Sequence, residues 1–207
     1  MIRHNGIVDS TQASFEVYIE GQGPTVVIVP SYGRDGGADF DALTDVLVDA
    51  GYRVLRPQPR GIARSVGPMA AVTFEDMAGD LACVIDKLAD GPAVILGHAF
   101  GNFVARATAT HHPDKVAAVI LAAASGKTVA PEVVSAPIRA GDLSLPDPVR
   151  LDALRLAFFA PGHDASLWLT GWYPDTLAMQ VDCVQRTDVS SYWSAGNVPI
   201  FELIAAL

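Results

Sequence analysis

One five-residue segment of the chain has the spacing of a nucleophile site but lacks a nucleophile. Residues 97–101 read GHAFG, follow the short apolar run 93–96 and precede a helical pattern over residues 100–111. Small residues at this spacing let a strand turn sharply into a helix, so that the central side chain stands exposed and can attack a carbonyl carbon. The central residue of such a turn is normally serine. Here it is Ala99, whose methyl group cannot act as a nucleophile.

The segments that would position Ala99 alternate between strand and helix patterns. The run TVVIV at residues 25–29 is β-branched throughout, which is typical of a strand buried on both faces of a sheet. Further strand patterns cover residues 14–19, 52–55 and 116–122, and helical patterns cover residues 39–50 and 73–88. Thr73 and Asp76 have the spacing of a capping box at the start of the second helix. This alternation predicts an α/β fold with a mainly parallel sheet flanked by helices.

The pattern changes after the last of these strands. Residues 127–196 contain helical stretches and three tryptophans but no strand pattern, and residues 198–204 return to strand character. We therefore expect a core formed by residues 1–126 and 197–207. We expect a helical cap formed by residues 127–196.

Four segments, in this order along the chain, resemble motifs of the α/β-hydrolase family. Residues 25–37 resemble its strand and oxyanion loop, and residues 56–65 resemble its D-x-R-G-x-G-x-S segment. Residues 97–101 resemble its nucleophile elbow, and residues 114–116 resemble the turn into its following strand. The resemblance covers nearly the whole chain. It implies an α/β-hydrolase core with an α-helical cap, and transfer of an acyl group from a small apolar ester or lactone to water.

The resemblance also assigns roles to individual residues. Ala99 occupies the nucleophile position, and the backbone N–H groups of Phe100 and Tyr32 occupy the oxyanion-binding positions. Trp168 or Trp172, on the underside of the cap, is expected to contact the substrate. The alternative for both tryptophans is a structural role in the core of the cap.

Ser31 is the candidate substitute nucleophile, because the loop that carries it lies beside the elbow in this family. The alternative is that its hydroxyl bonds to the backbone of a turn, as loop serines commonly do. His98, beside the centre of the elbow, is expected to pack or to bond locally.

Ala99 itself admits three explanations. It is a natural loss that leaves a binding module or pseudoenzyme, an engineered Ser-to-Ala knockout, or the sign of a nucleophile relocated to Ser31. The GHAFG segment resembles a subgroup of hydrolase-like proteins that carry the same alanine, which favours a natural residue. Catalysis and non-catalytic binding of a small molecule both stay open at this point.

The family resemblance also bears on the last strand pattern. Family members carry the triad acid just after the strand that corresponds to residues 198–204, and the histidine after one further strand. The pattern of residues 198–204 is that of a central strand, which needs a neighbour on each side. We expect a C-terminal fragment of the same protein to associate non-covalently, completing the fold and supplying both groups.

Composition limits the other possible partners. The net charge of −9 argues against nucleic acid and anionic membranes. The sequence has no phosphate-binding glycine loop and no metal-ligand spacing of the H-E-x-x-H kind, so we expect no cofactor and no metal. Cys83 and Cys183 are expected to be reduced thiols. No apolar run reaches the roughly 18 residues of a membrane helix, and no signal-peptide pattern occurs at the start, so we expect a cytoplasmic protein.

Overall fold

The computed structural model describes residues 4–124, 130–195 and 197–203. Seven strands form one sheet in the order β1-β2-β4-β3-β5-β6-β7. The first two pairings, β1 with β2 and β2 with β4, are antiparallel and the other four are parallel. The predicted mainly parallel sheet is therefore confirmed. The strands are β1 (His4–Asp9), β2 (Ser14–Glu20), β3 (Thr25–Val29), β4 (Arg53–Pro57), β5 (Ala93–His98), β6 (Val116–Ala122) and β7 (Ile200–Leu203).

Six α-helices accompany the sheet in the described residues. Three of them connect successive strands, and the other three follow one another between β6 and β7. The first group is α1 (Asp41–Asp49), α2 (Phe74–Leu88) and α3 (Gly101–His111). The second group is α4 (Pro131–Gly141), α5 (Asp147–Ala157) and α6 (Pro174–Arg186). The α2 helix begins with the predicted capping box, in which the Thr73 side chain accepts from the Asp76 N–H and the Asp76 carboxylate accepts from the Thr73 N–H.

The central strand β3 is buried on both of its faces. Val27 and Val29 pack in the hydrophobic core that also holds residues of α2 and α3. Val26 and Ile28 pack on the opposite face, against residues of the α1 side. Because successive side chains of a strand point to opposite faces, helices on both sides of the sheet require apolar residues at every position of this strand.

The helices between β6 and β7 have a hydrophobic cluster of their own, centred on Leu154 and Trp172. We call residues 130–195 the helical segment. Both predicted bounds of the cap, residues 127 and 196, lie outside the described residues. The division into core and cap therefore stays a prediction.

Two elements were not predicted from the sequence. The edge strand β1 has only two large apolar residues, Ile7 and Val8, and so lacks a clear strand pattern. The α4 helix begins at Pro131 and contains Pro137, residues that read as loop signals. Helix formation continues past Pro137 because the helix is packed against α5 and α6, and tertiary packing overrides local propensity.

The last strand is shorter than predicted and lies at the border of the described sheet. It covers Ile200–Leu203 and pairs in parallel with β6. No described strand pairs with its outer edge, and the side chain of Phe201 is 58% exposed. Residue 204, which the prediction included, lies outside the described part of the chain. Among the residues that the structure describes, no helix has both the length and the apolar character needed to span a bilayer.

Candidate active site

The turn between β5 and α3 holds Ala99 in an unusual backbone conformation. Its φ is +48°, in the left-handed region that disfavours any residue with a Cβ atom. The Ala99 N–H donates to the Ala122 carbonyl at 3.0 Å, and its own carbonyl accepts from the Asn102 N–H at 3.1 Å. These bonds fix Ala99 at the carboxyl end of β5, where it is partly exposed while the neighbouring Phe100 is buried.

The two glycines of the segment are required by close backbone approaches. A Cβ atom on Gly97 would lie 2.4 Å from the Gly101 carbonyl oxygen, and one on Gly101 would lie 2.3 Å from the Val29 carbonyl oxygen. Neither position can hold a side chain without moving the backbone. The segment thus has the tight strand-to-helix geometry that its sequence spacing predicted, with alanine at the centre.

Two backbone donors near Ala99 are unpaired. The N–H groups of Phe100 and Tyr32 donate to no group in the described parts of the chain. The two residues are in contact, with ring centroids 4.9 Å apart. Phe100 is the N-cap of α3, where backbone N–H groups have no partner within the helix. A pair of such donors beside a reacting carbon is the arrangement that stabilises a developing oxyanion.

The α6 helix fixes the loop that carries Tyr32. The Gly33 N–H donates to Gln180 Oε1 at 2.7 Å, and the Gly33 carbonyl accepts from the Tyr173 N–H at 2.9 Å. Gly33 has a φ of +54°, and a Cβ atom there would lie 2.9 Å from Leu177 Cβ. Sequence reasoning missed Gln180, because its partner lies 147 positions away. The one available signal was a polar residue on the buried face of an amphipathic helix.

Ser31 lies in the loop that follows β3, the strand next to β5. The two strands pair in a register whose last pair is Val29 and Gly97, so this loop and the turn at Ala99 leave the sheet at the same edge. Its side chain is buried, and its Oγ atom has no hydrogen-bond partner in the described structure. The Ser31 hydroxyl therefore makes no turn hydrogen bond within the residues that the structure describes.

Two further polar atoms near the elbow lack partners within the described residues. They are Nδ1 of His98 and Oδ1 of Asn102, whose Nδ2 donates to the Ala122 carbonyl at 2.9 Å. The His98 ring meets Phe40 and Trp168 edge-on, with centroids 5.8 and 6.2 Å away. Burial lowers the pKa of His98, so its imidazole is neutral at pH 7. The elbow therefore contains two buried polar atoms that are unpaired within the described residues.

The two tryptophans proposed for substrate contact pack against the loop that follows Ser31. The Arg34 guanidinium lies 4.5 Å from the Trp168 ring centroid and 5.6 Å from that of Trp172. Trp172 Nε1 donates to the Trp168 carbonyl, and Arg34 forms a bidentate ion pair with Asp39. Both rings thus join the helical segment to the loop after β3 through Arg34. Their contact with a substrate stays a proposal.

Two cavities border the candidate site. The inner cavity, about 70 Å³, lies between the sheet, α2, α3 and α6, and both Pro30 and Phe100 line it. The outer groove, about 410 Å³, lies between α4 and α6 and reaches Tyr32. Since the rings of Tyr32 and Phe100 are in contact, this aromatic pair lies between the two spaces. Neither Trp168 nor Trp172 lines them.

The described residues provide no obvious metal site. They contain no cluster of three or more His, Cys, Asp or Glu side chains able to hold an ion. Cys83 and Cys183 are free thiols, and burial raises the pKa of Cys183 to about 11. Cys183 is therefore protonated at neutral pH and is not an activated nucleophile.

Comparison with known sequences identifies the family. A sequence profile of the alpha/beta hydrolase fold matches residues 24–167, a range that includes β3, the elbow and the first helices of the helical segment. The chain belongs to the α/β-hydrolase fold family. The predicted family and the predicted fold class are thereby confirmed.

Individual members of the family share only moderate sequence identity with this chain. A mitochondrial palmitoyl-protein thioesterase of Homo sapiens is 26% identical over 121 residues, which span 58% of this chain and 40% of that protein. A pyrethroid hydrolase of Sphingobium wenxiniae is 33% identical over 97 residues, which span 46% of this chain and 34% of that protein. The matched segments therefore cover less than half of the length of these relatives.

Solved structures agree on the fold over nearly the whole chain. An esterase from Exiguobacterium antarcticum superposes with a TM-score of 0.74 at 20% identity, covering 96% of this chain and 80% of the esterase. At this level of identity the likeness establishes the fold alone. The family relatives named above are hydrolases.

Proposed function

We propose that this chain provides the acyl-binding site of an α/β-type hydrolase that acts on small apolar esters or lactones. The observation that carries the proposal is the pair of unpaired N–H groups of Phe100 and Tyr32 beside the strained turn at Ala99. Such donors bind the carbonyl oxygen as it gains negative charge during attack by a nucleophile. The names of the relatives, a thioesterase, a pyrethroid hydrolase and an esterase, agree with acyl transfer to water.

The source of the nucleophile separates two versions of this proposal. In the first version, Ser31 replaces the missing serine, because its hydroxyl is unpaired within the described structure and its loop follows the strand next to β5. In the second version, the chain binds the ester without turning it over, as a natural pseudoenzyme or an engineered knockout would. The 1% exposure of Ser31 favours the second version, since a nucleophile must reach its substrate.

An ester panel measured on matched variants distinguishes the two versions. Hydrolysis of p-nitrophenyl acetate and butyrate is compared for the parent, Ser31→Ala, Ala99→Ser and Ala71→Ser. Ala71 also has a positive φ, of 55°, but lies far along the chain from the elbow, so it controls for a serine placed in this backbone conformation.

Activity in the parent that Ser31→Ala abolishes supports a relocated nucleophile. Activity gained only in Ala99→Ser supports loss of a former catalytic serine, and losing that group costs about 10⁶-fold in another triad enzyme. Equal rates in all four proteins, with no saturable ester binding, would show that the site does not process acyl groups.

We further propose that a C-terminal fragment of the same protein adds a strand beside β7 and carries the acid and the histidine. The uncovered outer edge of β7 in the described sheet supports this addition. An intact mass spectrum of the natural protein tests it, because a docked fragment would appear as a second mass. We also propose that residues 127–196 form a helical cap and that the protein is cytoplasmic. Limited proteolysis tests the cap, because a separate folded unit would be released as an intact fragment, and cell fractionation tests the location.

A further inference from the structure

We propose that the inner cavity is a subsite for a short, uncharged acyl chain, with Gln180 as its polar anchor. The proposal rests on the proposed function, because it assigns the chain of the ester whose carbonyl lies on the Phe100 and Tyr32 amides. The cavity has room for a few heavy atoms, since a single water needs about 10–15 Å³ of such volume.

The position of the cavity relates it to the oxyanion donors. Pro30, which precedes Ser31 and Tyr32 in the oxyanion loop, lines its wall, and so does Phe100 of the elbow. The inner cavity therefore lies beside both segments that carry the candidate oxyanion donors. The remaining walls are mainly apolar, with Met77, Leu81 and Val84 from α2, Val104 from α3 and Met179 from α6.

The charges on the wall are already paired, which argues for a neutral occupant. Arg60 and Asp80 line the cavity and form a bidentate ion pair, with N–O distances of 2.7 and 2.9 Å. A third bond runs from Arg60 to the Pro68 carbonyl at 3.1 Å. A charged ligand would have to displace one partner of this pair, and breaking a largely buried pair is costly.

One polar group on the wall remains unpaired within the described structure. Gln180 is 2% exposed, and its Oε1 atom is fixed by the Gly33 N–H, which also fixes the orientation of the amide. Its Nε2 atom donates to no group among the described residues, and it is not one of the fully buried atoms that lack a partner, so it faces accessible space. This nitrogen can therefore donate to a ligand that offers an oxygen at the cavity wall.

Methyl alkyl ketones, from 2-butanone to 2-octanone, are the probes for the test. They carry the carbonyl and chain of an ester but cannot be hydrolysed, so binding is measured independently of turnover. The reporters are ¹³C-labelled methionine methyl groups of the intact chain, observed by NMR. Met77 and Met179 line the cavity, whereas Met69 does not and serves as the internal control.

We expect saturable shifts at Met77 and Met179 without a shift at Met69. Affinity should rise about four-fold with each methylene, the usual gain for burying that group, and should stop rising at roughly five chain carbons. Val84→Phe fills the cavity and should weaken 2-pentanone binding by at least about ten-fold. In Leu81→Ala, the ketone that binds most tightly should have a longer chain than in the parent. Leu121→Ala changes a residue in the same core but away from the cavity, and should leave the preferred chain length unchanged.

Several results would overturn the subsite. The first is that the chemical shifts of the Met77 and Met179 methyl groups do not change at saturating ketone, and the second is that Met69 shifts equally. The third is that Val84→Phe and Leu81→Ala leave ketone affinity and the preferred chain length unchanged. The spectrum of each variant also shows whether it is folded. If esters are hydrolysed while the chemical shifts of these methyl groups do not change on adding ketone, the proposed function stands and the subsite is wrong. If ketones bind there and no variant hydrolyses esters, the subsite stands, and the relocated nucleophile of the first version fails.

Discussion

Ala99 retains the backbone strain of a nucleophile position without the hydroxyl that such strain usually serves. A left-handed φ costs an L-residue about 1–2 kcal/mol, and strain of this kind persists only where the surroundings impose it. Here the Ala99–Ala122 hydrogen bond and the close approaches of Gly97 and Gly101 impose it. A serine at this position would need no new backbone conformation, which makes Ala99→Ser a direct test of the site.

His98 should make the stability of the protein depend on pH. Burial lowers the pKa of His98 in the folded state, so the unfolded chain takes up a proton at this residue more readily. Below the ordinary histidine pKa of about 6.5, protonation therefore favours unfolding. We expect the free energy of unfolding to fall as pH falls from 7.5 to 5, by at most about 1.4 kcal/mol per pH unit from this residue.

Urea unfolding of the parent, His98→Gln and His163→Gln at several pH values measures this effect. His163 is exposed and is the control for losing a histidine. The slope below pH 6.5 should flatten in His98→Gln and persist in His163→Gln. Equal slopes in the parent and in His98→Gln would contradict the assignment.

Substitution of two glycines by alanine should change the free energy of unfolding in opposite directions, because backbone atoms crowd one glycine and not the other. Gly101→Ala would bring Cβ to 2.3 Å from the Val29 carbonyl oxygen, so the contact between the elbow and β3 must open. We expect a loss of about 1–3 kcal/mol or more in the free energy of unfolding. Gly79, inside α2, has no atom within 4 Å of its added Cβ, and Gly79→Ala should gain about 1 kcal/mol.

Thermal and urea unfolding of both variants measure these changes. A stable Gly101→Ala protein would mean that the elbow is not fixed against β3 as described, whatever its activity. The Gly79 variant shows that the assay detects gains as well as losses.

The α6 helix should be needed for the order of the oxyanion loop. Gln180→Leu removes the acceptor of the buried Gly33 N–H, and an unsatisfied buried donor costs about 1–3 kcal/mol. We expect a loss of this size, together with faster amide exchange at residues 31–34. Gln185→Leu, an exposed position on the same helix, should change neither quantity. Unchanged amide exchange in Gln180→Leu would show that the loop is held by other contacts.

The sequence predicted those parts of the fold whose signals are local. The β-branched run of β3 and the small residues of the elbow determine their own conformations, and both were found where expected. Helix α4 was missed because Pro131 and Pro137 argue locally against it, while packing against α5 and α6 stabilises it. The role of Gln180 was missed because its hydrogen bond joins residues that only the complete fold brings together.

For the chain as a whole, the candidate site lies where three separate regions meet at the carboxyl ends of parallel strands. The loop after β3 and the turn after β5 supply the two N–H groups, and α6 holds the loop from the other side. Ligands of open α/β sheets commonly bind at this edge. The net charge of −9 adds no attraction for anionic partners.

The outer edge of β7 should make the isolated 207-residue chain self-associate. No described strand pairs with this edge, and the exposed Phe201 side chain adds apolar surface to its unpaired backbone groups. Such an edge is a template for pairing with another chain, and a charged residue on it opposes that pairing. We expect the mass measured by light scattering to rise with concentration in the parent and to stay near one chain in Phe201→Lys. Val46→Lys, at a 65% exposed helix position away from the edge, should behave like the parent. A parent that stays monomeric at every concentration, with a single intact mass, would show that this edge needs no partner strand.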